Sequence, residues 1–142
     1  MSVTVVITGD KKLNKALKKL PSKEQKKVFK AAARPAIKPV MQQARGNANL
    51  FKETGALAKS IKVRAIPRSR VMIGIRVTTR SEDFAEKYYA AFQEFGWKAG
   101  KANKPIPGRN FMKDAAAVKG ASVLKDYSNR MSKAIKATFT RP

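Results

Sequence analysis

The sequence predicts an α+β fold, a small antiparallel β-sheet with helices packed on one face. Two stretches, Ile61–Ala65 and Val71–Val77, alternate apolar residues with charged or small ones at the two-residue period of a half-buried strand. Two longer stretches, 22–46 and 110–138, repeat apolar residues at helical spacing instead. The chain has 142 residues, 43% of them apolar. That suits one folded domain over 1–142 with a real core, and does not suit a disordered polycation.

Taken in order, Val3–Thr8 is β-branched and ends at Gly9-Asp10, which predicts a strand. Asp10 is placed to cap a helix carrying Leu13, Ala16, Leu17 and Leu20, closed by Pro21. Ser22 opens a second helix with Glu24 in its first turn and an apolar face of Phe29, Ala32, Ala33, Ala36, Val40 and Ala44. Pro35 and Pro39 each remove a donor and crowd the preceding turn, so this long helix is expected to be kinked or in two pieces. Gly46-Asn47 is its expected stop. The segment 51–61 reads as a loop feeding a short helical turn, with Glu53 or Thr54 as cap and Leu57 and Ile61 pointing one way.

The two alternating strands follow, joined through Pro67-Arg68-Ser69 as a hairpin loop. Charge on one side of each strand predicts a sheet covered on one face only. Ser81–Phe95 returns to helix, with Ser81 as cap and Glu82 and Asp83 where the helix dipole favours acids. An irregular basic loop is expected at about 97–109. A long C-terminal helix comes next, with Phe111, Ala115, Val118, Ala121, Leu124, Tyr127, Met131 and Ile135 on its apolar positions and Gly120 as a weak point.

Residue usage excludes function classes. The chain has neither His nor Cys, which removes the usual zinc sites, the Ser-His-Asp triad and thiolate chemistry. No catalytic residue, metal site or cofactor is expected, and the chain is not read as an enzyme. Gly96–Ala102 (GWKAGKA) fails as a phosphate loop: three residues separate the glycines where four are needed, and Ala102 stands where Ser or Thr binds Mg²⁺. Glu82, Asp83 and Glu86 read as acids at a helix start rather than as cation ligands; they also suit contact with the basic surface of a neighbouring copy. No apolar run reaches the length of a membrane span.

Charge is the dominant global feature, 32 Lys+Arg against nine Asp+Glu for a formal +23. Such a surface seeks polyanions or acidic proteins and repels its own copies. A sequence-nonspecific nucleic-acid-binding protein is therefore one reading, with phosphate contacts from residues such as Lys98, Lys101, Lys104 and Arg109. Five of the eleven aromatics fall between Tyr88 and Trp97. They would serve as a stacking platform for single strands, but their helical spacing beside acids fits core or subunit contact better.

Three segments resemble one known family. Thr54-Gly55-Ala56-Leu57-Ala58-Lys59-Ser60-Ile61 fits T-G-x-L-x-x-S-I, and Tyr89-Ala90-Ala91-Phe92-Gln93-Glu94-Phe95-Gly96 fits Y-A-x-(apolar)-x-E-F-G. Arg109-Asn110-Phe111-Met112 followed by Ala115 fits R-P-F-M-x-x-A. In that order they resemble the neck, or tail-completion, family of long-tailed bacteriophages. Trp97 stands where a small Thr usually follows E-F-G, and Asn110 where Pro usually precedes Phe-Met.

The resemblance implies a structural virion protein without catalysis. It would form a ring, six subunits being the expected number, at the head–tail junction of the neck, after assembly in the host cytoplasm. Its partners would be the tail-tube terminus and the head-closure or adaptor proteins, with nonspecific contact to genome DNA and no membrane. On this reading Tyr89, Phe92, Phe95, Trp97, Phe111 and Met112 anchor the packing of the loop and of subunits or partners, and Gly96 permits the turn. Glu94 faces a basic residue nearby or on the next subunit. Thr54, Gly55 and Leu57 fix the turn into the sheet.

Overall fold

The computed structural model describes residues 11–51, 55–67, 74–79 and 84–140. The expected strand Val3–Thr8, the caps Asp10, Glu53, Thr54 and Ser81, the hairpin loop at Arg68-Ser69, the strand residues Val71 and Ile73, and the acids Glu82 and Asp83 lie outside them. So do the side chains of Leu13, Leu17 and Glu86.

The elements are α1 (Lys11–Lys18), α2 (Ser22–Asn49), α3 (Ala56–Ser60), β1 (Ile61–Ala65), β2 (Ile75–Thr79), α4 (Phe84–Phe95), β3 (Gly96–Ala99), β4 (Lys104–Pro107) and α5 (Phe111–Phe139). The fold is α+β, as expected, but its strands form two antiparallel pairs, β1 with β2 and β3 with β4.

Among the described residues, helices α2 and α5 form the largest contact between elements. The stripe that α2 presents is mostly small: Ala32, Ala33, Ala36, Ala44 and Ala48 are buried with Val28, Ile37 and Val40. Small residues let another element approach closely, and α5 answers with larger ones, Val123, Tyr127, Met131 and Ile135. Phe29 meets the Tyr127 ring edge-on at 5.9 Å between centroids.

Pro35 and Pro39 do not divide α2, which runs as one helix of 28 residues. Both prolines are half-buried and sit beside the exposed Arg34 and Lys38, so the bonds they remove lie away from the buried stripe. The helix also passes the expected stop at Gly46-Asn47 and ends at Asn49. Tertiary bonding explains the extra turn. Asn47 accepts a bond from Gln43 Nε2 at 3.0 Å and donates Nδ2 to the Phe111 carbonyl at 3.1 Å, while Ala48 is buried. At the other end Ser22 is the first helical residue, and Pro21 occupies the cap position. Gln25 donates its side-chain amide to the Leu20 carbonyl at 2.6 Å, tying the end of the first turn region to α2.

The β1–β2 register pairs Val63 with Val77 and Arg64 with Arg76. Ile61, Ile75 and Val77 are buried in the core that α2 covers. Arg45 of α2 donates Nε and Nη2 to the Ile61 carbonyl at 3.1 and 2.8 Å, fixing the start of β1.

The expected irregular loop at 97–109 is largely a β-hairpin, β3 and β4. Gly100 and Asn103 take positive φ (69° and 50°) in the connection, which Asn103 N–H closes onto the Gly100 carbonyl at 3.1 Å. Both residue types tolerate that backbone region. The strand signal in Lys104-Pro105-Ile106-Pro107 is masked because proline ordinarily argues against a strand, yet alternate prolines leave the bonds of every second residue intact.

Burial pushes the Tyr127 phenol from its ordinary 10.0 up to about 12. A raised folded-state value means that stability is fully present below pH 10 and is lost as pH rises towards 12. Tyr127→Phe should be flatter than wild type above pH 10, in urea unfolding compared across that range, by up to about 2–3 kcal/mol.

Candidate functional site

The motif residues 93–96 and 108–113 meet where α4 ends and α5 begins. Glu94 is only 3% exposed. Its Oε2 accepts the Met112 N–H at 2.9 Å and its Oε1 the Lys113 N–H at 3.0 Å. The first turn of a helix carries unpaired N–H groups and the positive end of the dipole, so a buried carboxylate is well matched there. Bonding also runs the other way: Arg109 N–H donates to the Gln93 carbonyl at 2.7 Å and Asn110 N–H to the Glu94 carbonyl at 3.2 Å. Each helix end therefore satisfies the other. A void of about 10 Å³ flanks this junction, lined by residues including Ala90, Phe95 and Phe111, with room for about one water at most.

The crossing is too close for side chains. A Cβ on Gly96, whose φ is +82°, would lie 2.3 Å from the Ile106 carbonyl oxygen. One on Gly108 would lie 2.2 Å from the Glu94 carbonyl oxygen. Asn110 takes φ +49° and its carbonyl accepts the Asp114 N–H at 2.8 Å. Proline can do neither of the things Asn110 does here, adopt positive φ or donate an N–H, which accounts for the departure from R-P-F-M.

These contacts correct three sequence expectations. Glu94 faces the backbone of its own α5, not a basic side chain. Phe111 and Met112 are 2% and 3% exposed and belong to the chain's own core, with Phe111 against Phe51 at 5.9 Å between centroids. They therefore offer no surface to a partner. Of the turn residues, Thr54 lies outside the described residues; Gly55 precedes α3 with φ +73° and Leu57 is buried.

What remains exposed is an aromatic ladder. Tyr88 and Phe92, one turn apart on α4, are 48% and 43% exposed with ring centroids 6.1 Å apart. Phe92 meets Trp97 of β3 at 6.0 Å, and Phe95 is 54% exposed beside them. Tyr89 turns inward and is half-buried against the core. Tyr88, one of the aromatics expected in the core or at a subunit contact, lies on the exposed side, and its i, i+4 spacing to Phe92 places the two together.

A shallow depression adjoins the ladder, lined by Phe95, Trp97, Pro105, Ile106 and Pro107. Lys98 also lines it, and Lys98, Lys101, Lys104 and Arg109 are all exposed, with the Arg109 guanidinium 4.6 Å over the Phe51 ring. An exposed apolar patch with a charged rim is the mark of a contact surface. Among the described residues no group of His, Cys, Asp or Glu is gathered as a metal site would need, and no helix is long and apolar enough to cross a membrane.

A protein-family model described as "Bacteriophage HK97-gp10, putative tail-component" matches residues 11–96, well over half of the chain. The match runs from α1 to the first residue of β3 and so takes in the E-F-G segment. Among curated proteins and among solved structures, none matches.

Glu94→Ala should cost about 3 kcal/mol in urea unfolding, because two α5 amides lose a charged acceptor; Glu94→Gln, which keeps one acceptor oxygen, should cost less. Asn110→Pro should destabilise by about 2 kcal/mol or more, whereas Asn110→Gly should stay within about 1 kcal/mol of wild type.

Proposed function

The chain belongs to the HK97-gp10-like family, which places it among bacteriophage tail components and so in the virion, and from that premise we propose that it acts at the neck. It forms a ring, of six subunits, at the head–tail junction, completing the tail and joining it to the head. It works by contact and not by catalysis. The tail-tube terminus lies on one side of the ring and the head-closure or adaptor proteins on the other.

The observation that supports this reading is the ladder Tyr88–Phe92–Trp97 with Phe95, on a junction whose helix-end amides and carbonyls are bonded within the chain. Aromatic side chains bring large apolar area at little entropic cost and dominate most interfaces. A monomer gains nothing by exposing Tyr88, Phe92 and Phe95 beside a half-buried Trp97. The formal +23 adds a condition. Copies brought together repel one another until acidic faces of neighbouring neck and tail proteins, or genome DNA, neutralise them. Contact with DNA would be to phosphates and independent of sequence.

The test uses phage lacking this protein, complemented with variants. Trp97→Ala and Phe92→Ala should leave the thermal midpoint of the purified protein nearly unchanged and lower its incorporation into virions by roughly tenfold or more, as loss of an interface anchor does. Normal incorporation of a folded Trp97→Ala, Phe92→Ala double variant would overturn the contact role. Native mass spectrometry over a salt series, with and without tail-tube protein and duplex DNA, reads the subunit count. A monomer that ignores tail-tube protein but binds DNA with steep salt dependence would favour the nucleic-acid reading instead.

A further inference from the structure

The hairpin β3–β4 has one open edge and one closed edge. Its register pairs Gly96 with Pro107, Trp97 with Ile106, Lys98 with Pro105 and Ala99 with Lys104. Proline has no N–H, so Pro105 and Pro107 must occupy the positions that exchange no hydrogen bonds with β3. The ladder bonds then run through the pairs Trp97–Ile106 and Ala99–Lys104. Two consequences follow from the alternation. The outward side of β4 shows proline nitrogens and cannot donate to an added strand. The outward side of β3 shows both the N–H and the carbonyl of Lys98, and among the described residues neither bonds to backbone outside the strands.

Charge indicates what could pair there. From Phe95 to Lys113 the chain has five cations, Lys98, Lys101, Lys104, Arg109 and Lys113, and no acid. A second copy of β3 laid antiparallel across Lys98 would bring Lys98 against Lys98, and like charges directly opposite destabilise a strand pair. An acidic strand meets the opposite situation. Its backbone would use the donor and the acceptor of Lys98 together, where a phosphate would use the donor alone. Its apolar side chains would fall towards the depression lined by Phe95, Trp97 and Pro105.

We propose that β3 takes up an extended acidic segment of another virion protein by strand addition at Lys98, with Trp97 and Phe95 as the apolar seat. The inference rests on the contact surface described above and names its occupant. The segment alternates acidic and apolar residues, as one side of a strand must face the lysines and the other the aromatics.

The probe is a blocked octapeptide of alternating Glu and Val, added to the ¹⁵N-labelled full chain, with the Lys-Val counterpart and a single-stranded oligonucleotide as controls. Saturating Glu-Val peptide should slow hydrogen exchange of the Lys98 amide tenfold or more and shift resonances of residues 95–99, while the Lys-Val peptide does neither. Lys98→Ala keeps the backbone donor and Lys98→Pro removes it at a position free of ladder bonds. Lys98→Pro should therefore bind the peptide at least tenfold more weakly than Lys98→Ala, with Trp97 fluorescence reporting that the hairpin is intact in both.

Three results would overturn the proposal: equal binding by the two variants, no change in Lys98 exchange, or perturbation of 95–99 by the oligonucleotide alone. If Lys98 exchange is unmoved while the Trp97→Ala, Phe92→Ala variant still fails to enter virions, strand addition is wrong and the contact surface stands. Normal entry of that variant is what removes the surface itself.

Discussion

The structure depends on one buried carboxylate. Glu94 lies in the last turn of α4 and at the same time completes α5, because its two oxygens take the amides of Met112 and Lys113. A buried charge is tolerable only when its lone pairs are answered, and the start of α5 answers them with N–H groups that would otherwise be unpaired. The return bonds from Arg109 and Asn110 to the Gln93 and Glu94 carbonyls close a ring of four hydrogen bonds around the junction. Two helices separated by fifteen residues of chain are thereby held end to end.

That constraint explains the residues around it. With helix ends this close, the chain between them must leave and return through a gap without room for a Cβ, which is why Gly96 and Gly108 face each other's backbone. The hairpin in between is pushed outward. Its Trp97 ring meets Phe92 of α4. The same junction seats Phe111 in the core, where it meets Phe51, and its carbonyl receives the Asn47 amide from the end of α2. The E-F-G and F-M segments are thus primarily a folding device, and the surface they create is a by-product of folding the device tightly.

Much of the fold was legible because periodicity is local. The alternation in 61–65 and 75–77 and the spacing of Phe111, Ala115, Tyr127, Met131 and Ile135 each reveal an element without knowledge of the rest. What was not legible depended on partners distant in sequence. Glu94 on an amphipathic helix looks like any surface acid, since its amide partners lie eighteen and nineteen residues away. Phe111 and Met112 read as a contact pair because the segment before them reads as an irregular loop; with β3–β4 in place they sit at the root of the hairpin, inside the core. Gly46 read as a helix stop because its cost is local, while the bonds of Asn47 that outweigh it are tertiary. The ladder Tyr88–Phe92–Trp97 was half legible, its helical part from spacing and its Trp97 end only from the fold.

The uneven charge is the remaining step. Copies of this chain repel through their basic surfaces over roughly a Debye length, about 8–10 Å at moderate salt, so apolar contact alone must bring them past that distance or acidic neighbours must first reduce the repulsion. The β1–β2 register places Arg64 opposite Arg76, like charges directly across a strand pair. The hairpin repeats the theme with cations and no acids. A protein with this distribution is poorly suited to associate with itself in isolation and well suited to associate where acidic surfaces already wait. On the proposed reading that ordering is useful: exposed aromatics are dangerous in a free subunit, and the net charge keeps them apart until a complementary partner is present.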